Sequence, residues 1–302
     1  MIKNSPRIGF IGFGEVAYHL AIGLKESGIE KIFAFDAANQ STNQNRIIIN
    51  RSNEIGAELQ KNIEQVIKNS DLIISAVHGN AALDVAIESA KFLTSDKIYA
   101  DINNTSPSTK LKIAKAVNDA GAKFVDLELF ETPARAKHKS LMYMSGDGAV
   151  DFLTIMDKFG MSPKIIEGSS NKACEIKVLT NIYYKGLQAL CLELGISANK
   201  AGIDLDLIAS LVVQPVKELP DDSALAFWIF RGAIHAGRKA AELRDINQAI
   251  KDWGVEPIMM DAAMKRLELI ARYNLKDHMD SEVSLENYKS ILTILAKGTE
   301  LN

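Results

Sequence analysis

Residues 7–28, R-I-G-F-I-G-F-G-E-V-A-Y-H-L-A-I-G-L-K-E-S-G, leave this chain few ways to fold. A short apolar strand enters a glycine turn and leaves as an amphipathic helix, the opening of a βαβ unit and hence of a parallel sheet. Gly12, Gly14 and Ala17 stand in G-x-G-x-x-A register. The first glycine permits the tight turn, the second lets the backbone approach a pyrophosphate, and the alanine lets the helix lie close on the strand. Because a helix N-terminus presents unsatisfied N–H groups, Gly12, Phe13, Gly14, Glu15 and Val16 are expected to line a dinucleotide. The second strand, K-I-F-A-F-D, ends on Asp36. That is about twenty residues beyond the glycines, where a carboxylate can bond both hydroxyls of an adenosine ribose. Asp36 would repel a 2'-phosphate, which favours NAD, while Arg46 and Arg51 in the polar segment that follows keep NADP open. A tight turn with an incidental acid is the bland alternative, and a methyltransferase also ends its second strand in an acid. Strand, glycines, helix and acid in one register favour the dinucleotide.

Further strand-like runs at 71–77 and 97–103 alternate with helical segments, which predicts a mainly parallel, doubly wound sheet. Ligands of such sheets bind beyond the carboxyl ends of the strands, so Ala76, Val77, His78 and Asn103 are expected at the cofactor crevice. A lone loop histidine is more often solvated than catalytic, and His78 is given no acid–base work. Ser106 and Pro107 read as the N-cap and first position of a helix. Strands at 123–129, 140–145 and 164–167 complete a first domain, 1–168. The segment F-E-T-P-A-R-A-K-H-K at 130–139 either closes over a substrate or merely connects strands.

Residues 171–198 then read as one helix of about 28 residues and about 40 Å, without proline and preceded by N-cap candidates Ser169, Ser170 and Asn171. It is apolar almost all round, which predicts burial on both sides. Lys177, Asn181, Lys185 and Gln188 nevertheless share one stripe at helical spacing. Beyond it the alternation stops and helix signals take over. Asp204 caps a short helix, Pro215 and Pro220 interrupt the chain, and a helical stretch covers 223–253 with Gly232 as its break. Pro257 opens another helix, and Ser284 and Gly298 bracket the last. The second domain, 169–302, is expected to be all-α, with 169–198 as an interdomain helix. Arg231, His235, Arg238 and Glu242 form one polar stripe within it, a solvated face unless it meets a ligand, where Arg238 and His235 would suit an anionic group.

The formal net charge of -3, evenly spread, gives no footprint for nucleic acid or a membrane surface. Two cysteines, Cys174 and Cys191, suggest neither a disulfide framework nor a metal site. No apolar run approaches the roughly 18 residues of a membrane span, and no leader-like segment opens the chain, so the cytoplasm is expected.

The order of these features resembles the beta-hydroxyacid dehydrogenase superfamily, which includes 3-hydroxyisobutyrate and 6-phosphogluconate dehydrogenases. The segments 184–194 and 233–257 look closest to a less characterised branch related to phosphogluconate dehydrogenase. G-F-I-G-F-G-E-V-A is similar to the N-terminal signature, and Lys177 and Asn181 satisfy the more specific K-x-x-x-N of the interdomain helix. The resemblance implies that Lys177 is the catalytic acid/base and that Asn181 helps hold the substrate. Asn103 takes the position of a polar residue near nicotinamide and substrate. It further implies a homodimer and a small anionic hydroxy acid or related polyol acid. The chain departs from D-A-P-V-S-G-G, the carboxylate-binding segment: Asp126 is followed by L-E-L-F-E-T, placing Phe130, Glu131 and Thr132 there. A non-catalytic dinucleotide-binding redox sensor and an imine or keto reductase on the same scaffold are the alternatives.

Overall fold

The computed structural model describes residues 5–37, 45–217, 224–275 and 285–297. They fall into two compact units, Met1–Ile182 and Tyr183–Asn302.

The first unit is built on an eight-stranded sheet of order β3-β2-β1-β4-β5-β6-β7-β8. Its strands are β1 (Ile8–Ile11), β2 (Ile32–Phe35), β3 (Glu58–Leu59), β4 (Leu72–Ser75), β5 (Ile98–Asp101), β6 (Lys123–Leu129), β7 (Met142–Ser145) and β8 (Lys164–Ile165). From β3 through β6 every pairing is parallel, β7 runs antiparallel to β6, and β8 is parallel to β7. The chain leaves β1 for β2 and β3, then returns to β4 on the other side of β1. That reversal opens a crevice between the tips of β1 and β4, the place where such sheets take ligands. Strands β1, β4 and β5 are buried at every position, as strands covered on both faces must be. Ile8, Phe10, Val125 and Leu127 pack on one face with Leu20, Leu24 and Phe152. Ile11, Ile73, Tyr99 and Phe124 pack on the other with Val66, Ile113 and Val117.

The expected doubly wound sheet is therefore present, with two differences. Strand β3 has only two residues, too short to leave an alternation in the sequence. The segment 130–139 is no free loop: it forms α6 (Pro133–Ala136) and a 3-10 turn, Lys137–Lys139. That turn lies against α1 (Glu15–Glu26), where Lys137 pairs with Glu26 at 2.5 Å. His138 Nε2 sits 2.9 Å from Ser27 Oγ and 2.8 Å from the Phe159 carbonyl.

The helices carried forward are α2 (Asn45–Ile55), α3 (Ile63–Asn69), α4 (Ala82–Ala90), α5 (Pro107–Asp119), α7 (Ala149–Met156), α8 (Lys172–Lys200), α9 (Leu205–Lys217), α10 (Ala224–Ile234), α11 (Ala236–Asp252) and α12 (Ile258–Ala271). Helix α8 matches the long helix read from the sequence, but not its burial. Leu179, Ile182 and Leu192 are each about two-thirds exposed, not covered by any element among the described residues. Helix α9 runs through Pro215 rather than stopping there. The break in 223–253 falls at His235, whose backbone (φ -107, ψ 21) leaves the helical region, and Gly232 stays inside α10. Arg231 and Arg238 consequently belong to different helices, and the stripe is not one helical face. Glu193 accepts from the N–H groups of Met259 and Met260, which caps α12 across the second unit. Phe230, Ala233, Ile234, Leu275 and Ile291 form the core of that unit, to which the last described helix, Leu285–Lys297, contributes. Pro220, Ser223, Ser284 and Gly298 lie outside the described residues.

Gly23 is required by the turn packed on α1: a Cβ there would stand 2.0 Å from His138 Nδ1 and 2.8 Å from Lys137 Cβ. Alanine for glycine usually strengthens a helix, but Gly23→Ala should destabilise the protein by about 1–3 kcal/mol through overpacking. A urea midpoint lower than wild type is the expected result.

Candidate functional site

The glycine turn sits where strand order reverses. Gly12 has φ +85, and a Cβ on it would stand 2.3 Å from the Ala76 carbonyl oxygen, so the tips of β1 and β4 can approach only with glycine there. Gly14 is the N-cap of α1 and no side chain caps that terminus. Nothing lies within 4 Å of where its Cβ would be, so the turn leaves open space before the first N–H groups of the helix. Glu15 and Val16 are exposed beside it, while Phe13 is buried in the core. Asp36, at the end of β2, accepts the Phe13 N–H at 2.7 Å and so belongs to the turn itself. This arrangement fits a dinucleotide: an unobstructed turn, uncapped helix N–H groups for the pyrophosphate, and an acid at ribose position. Arg51 stacks over the Tyr18 ring at 5.4 Å, and Arg46 is exposed on α2.

Asn103 is buried and joins the tips of β4 and β5. Its amide oxygen accepts the Val77 N–H at 2.6 Å, and its amide nitrogen donates to Asp101 Oδ2 at 2.7 Å and Ser75 Oγ at 3.0 Å. These bonds fix the loop that carries Ala76, Val77 and the exposed His78. Gly79 in that loop is close enough to Asn104 that a Cβ would meet its carbonyl oxygen at 2.1 Å.

Helix α8 begins at the same edge of the sheet. Asn171 donates to the Pro107 carbonyl at 3.3 Å, and Cys174 Sγ lies 3.4 Å from the Thr105 carbonyl. One turn on, the Lys177 ammonium donates to the Leu129 carbonyl at the end of β6 and lies 4.7 Å from the centre of the Phe130 ring. Asn181 follows, half-buried, one further turn along. Glu131 Oε2 accepts the Leu141 N–H at 3.3 Å, and Thr132 is the N-cap of α6. His235 and Arg238 belong to the second unit, where they border a hollow of about 320 Å³ with Ile270 and Asn274. Arg238 is paired with Glu242.

Beneath this edge lies a cluster that the sequence reading missed. Lys110, on α5, is fully buried, and its Nζ lies 2.6 Å from Asp101, 3.2 Å from Asp126 and 3.3 Å from Glu128. It also donates to the Asn103 carbonyl at 3.0 Å. Asp101 and Asp126 are register partners in adjacent strands, so two carboxylates stand side by side and need the cation. Burial opposes the Lys110 charge, but Asp101, Glu128 and Asp126 outweigh it and hold the amine above its ordinary range. Burial raises the Asp126 carboxyl against the pull of Lys110, and raises Glu128 to about 7 with the repulsion of Asp126 added. The Cys174 thiol is likewise pushed up to about 12 by burial and is no nucleophile at neutral pH. The one visible signal was K-F-V-D-L-E-L itself: two acids at alternate positions on one face of a strand whose other face is core.

Residues 7–162 match the family described as the NAD binding domain of 6-phosphogluconate dehydrogenase. The chain is 34% identical to an uncharacterised 28.5 kDa protein of Methanothermus fervidus over 84% of its own length and 94% of that protein's. It is 23% identical to 2-(hydroxymethyl)glutarate dehydrogenase of Eubacterium barkeri, covering 70% of this chain and 69% of that one. An imine reductase structure from Pseudomonas sp. shares the fold at a TM-score of 0.72, with 17% identity over 96% of this chain and all (100%) of its own. Among the described residues no helix is long and apolar enough to cross a membrane, and no group of His, Cys, Asp or Glu is arranged to hold a metal.

The buried cluster sets a pH dependence. With its folded pKa raised from 4.5 to about 7, Glu128 keeps a proton in the folded state that the unfolded chain has lost. Its contribution is full below the lower value and is lost as pH rises through the upper one. Urea midpoints of wild type should therefore fall between pH 5 and about pH 8 more steeply than those of Glu128→Gln. Lys110→Met, which strands the carboxylates, should cost about 3–5 kcal/mol at pH 8.

Proposed function

The chain belongs to the family of the 6-phosphogluconate dehydrogenase NAD-binding domain, and from that premise we propose that it is an NAD(P)-dependent oxidoreductase acting on the carbinol carbon of a small, anionic hydroxy acid. Lys177 is its general acid/base. One observation carries the reading: the helical turn bearing Lys177 is fastened to the carboxyl edge of the same sheet that forms the glycine turn.

A bound nicotinamide dinucleotide supplies or accepts the hydride. Gly12, Gly14 and the first N–H groups of α1 would hold its pyrophosphate, and Asp36 its ribose, with a charge that disfavours a 2'-phosphate and so favours NAD. Ala76, Val77 and Asn103 shape the far wall of that crevice. In oxidation Lys177 takes the hydroxyl proton as the carbonyl forms, and in reduction it returns that proton and polarises the carbonyl. The Leu129 carbonyl accepts from the Lys177 Nζ and the Phe130 ring lies 4.7 Å from it, contacts that hold the group at the sheet edge. Asn181, one turn away, orients the substrate oxygen. The Thr132 hydroxyl is assigned to the substrate's acidic end, which the Glu131 carboxylate beside it would repel. The exposed apolar residues Leu179, Ile182, Leu187 and Leu192 on α8 support a homodimer. Both cysteines are free, in keeping with a cytoplasmic protein.

Lys177→Ala should lose about 100-fold or more in kcat in a coupled assay over hydroxy acids, alcohols, ketones and ketone–amine mixtures, with NADH affinity retained. Full turnover by that variant would remove Lys177 from the chemistry. Turnover confined to the ketone–amine mixtures would favour an imine reductase, and tight NADH binding without turnover on the whole panel a redox sensor. NADH should bind more tightly than NADPH by fluorescence titration, and Asp36→Ser should narrow the gap. Sedimentation at micromolar concentration should give a dimer.

A further inference from the structure

The first turn of α8 is not closed by its own sequence. Asn171, the residue before it, directs its amide to the Pro107 carbonyl and to Glu175. The sheet supplies the acceptors instead: Ser145 Oγ on β7 takes the Ala173 N–H at 3.1 Å, and Asp126 Oδ2 on β6 takes the Cys174 N–H at 2.7 Å. Ser145 also donates to that same Asp126 oxygen at 3.3 Å. The other Asp126 oxygen faces Lys110 Nζ at 3.2 Å.

Strand β6 thus grips α8 at two points. Asp126 holds the Cys174 N–H, and three residues along the strand the Leu129 carbonyl accepts from Lys177, three residues along the helix. A slip of the first helical turn is therefore passed directly to the ammonium. We propose that Asp126, clamped by Lys110 and closing the first turn of α8, is the positioning residue that sets where the Lys177 amine stands and how readily it exchanges its proton. This rests on Lys177 being the proton carrier of the proposed reaction.

The two faces of Asp126 make the arrangement sensitive to a single atom. One oxygen accepts the Cys174 N–H, and the other, without a hydrogen bond, faces the Lys110 ammonium at 3.2 Å. An asparagine must turn its NH2 toward one of them, so in either orientation a donor meets a donor. Ser145→Ala is the milder test. It removes the acceptor of the Ala173 N–H and leaves the charges of the cluster intact.

The test is pH-dependent acylation of the Lys177 amine in the full-length protein, read by mass spectrometry, alongside NADH titration and steady-state kinetics. In Asp126→Asn the pH midpoint of Lys177 labelling should move by about half a unit or more, and in Ser145→Ala in the same direction by less. Because a misplacement of about 1 Å can cost about 100-fold, kcat should fall by about 10- to 100-fold in Asp126→Asn, with KM and NADH affinity changing by no more than about twofold. Lys177 labelling that matches wild type in both folded variants would overturn the proposal, as would an equal loss of NADH affinity and kcat. If Asp126→Asn does not fold, Ser145→Ala decides on the same readout. Failure of the functional reading is seen separately, as full turnover by Lys177→Ala or none by wild type, and the labelling comparison still decides the positioning role.

Discussion

One buried ammonium, Lys110 Nζ, balances Asp101, Asp126 and Glu128 at the carboxyl ends of β5 and β6, where water is excluded from all four side chains. A carboxylate moved out of water is costly unless a cation and hydrogen bonds replace its hydration, and here one lysine serves three. The surplus of acids is relieved by Glu128, whose carboxyl is raised to about 7. From this balance bonds run in two directions. Asp101 orients Asn103, which ties the tips of β4 and β5 together, and Asp126 takes the first turn of α8. The crevice wall and the helix bearing Lys177 are joined through the same charges.

The glycine turn depends on sterics instead. The Ala76 carbonyl lies where a Cβ of residue 12 would be, while the space at Gly14 is open. The first glycine is thus needed by the protein's own packing and the second leaves room for something else, a difference that the spacing of glycines alone does not reveal. Asp36 is also part of the turn, since it accepts the Phe13 N–H.

Much of this was legible in the chain. The alternation of strands and helices and the bounds of α8 to within a residue or two follow from period and capping signals. The helical half was read less well. Its break lies at His235 and not at Gly232, because glycine lowers helix propensity without forbidding the helix, and packing around Phe230 and Ile234 outweighs it. Proline at 215 did not stop α9. The burial inferred for α8 failed because an apolar residue states a preference for company without saying which residues supply it.

By itself the sequence determined what depends on neighbours close along the chain: the glycine turn with its helix, the acid at the end of β2, the parallel sheet and the helical stripe of Lys177 and Asn181. Those rest on backbone sterics and on periods of two and 3.6 residues, which short windows contain. Only the tertiary structure decided that Lys110 belongs with Asp101, Asp126 and Glu128, that Asn103 is spent on joining strands, and that Asp126 closes α8. Each of these joins residues far apart in sequence, and what selects the partner is the cost of burying a charge or an N–H alone, a cost that exists only once the sheet has closed over them.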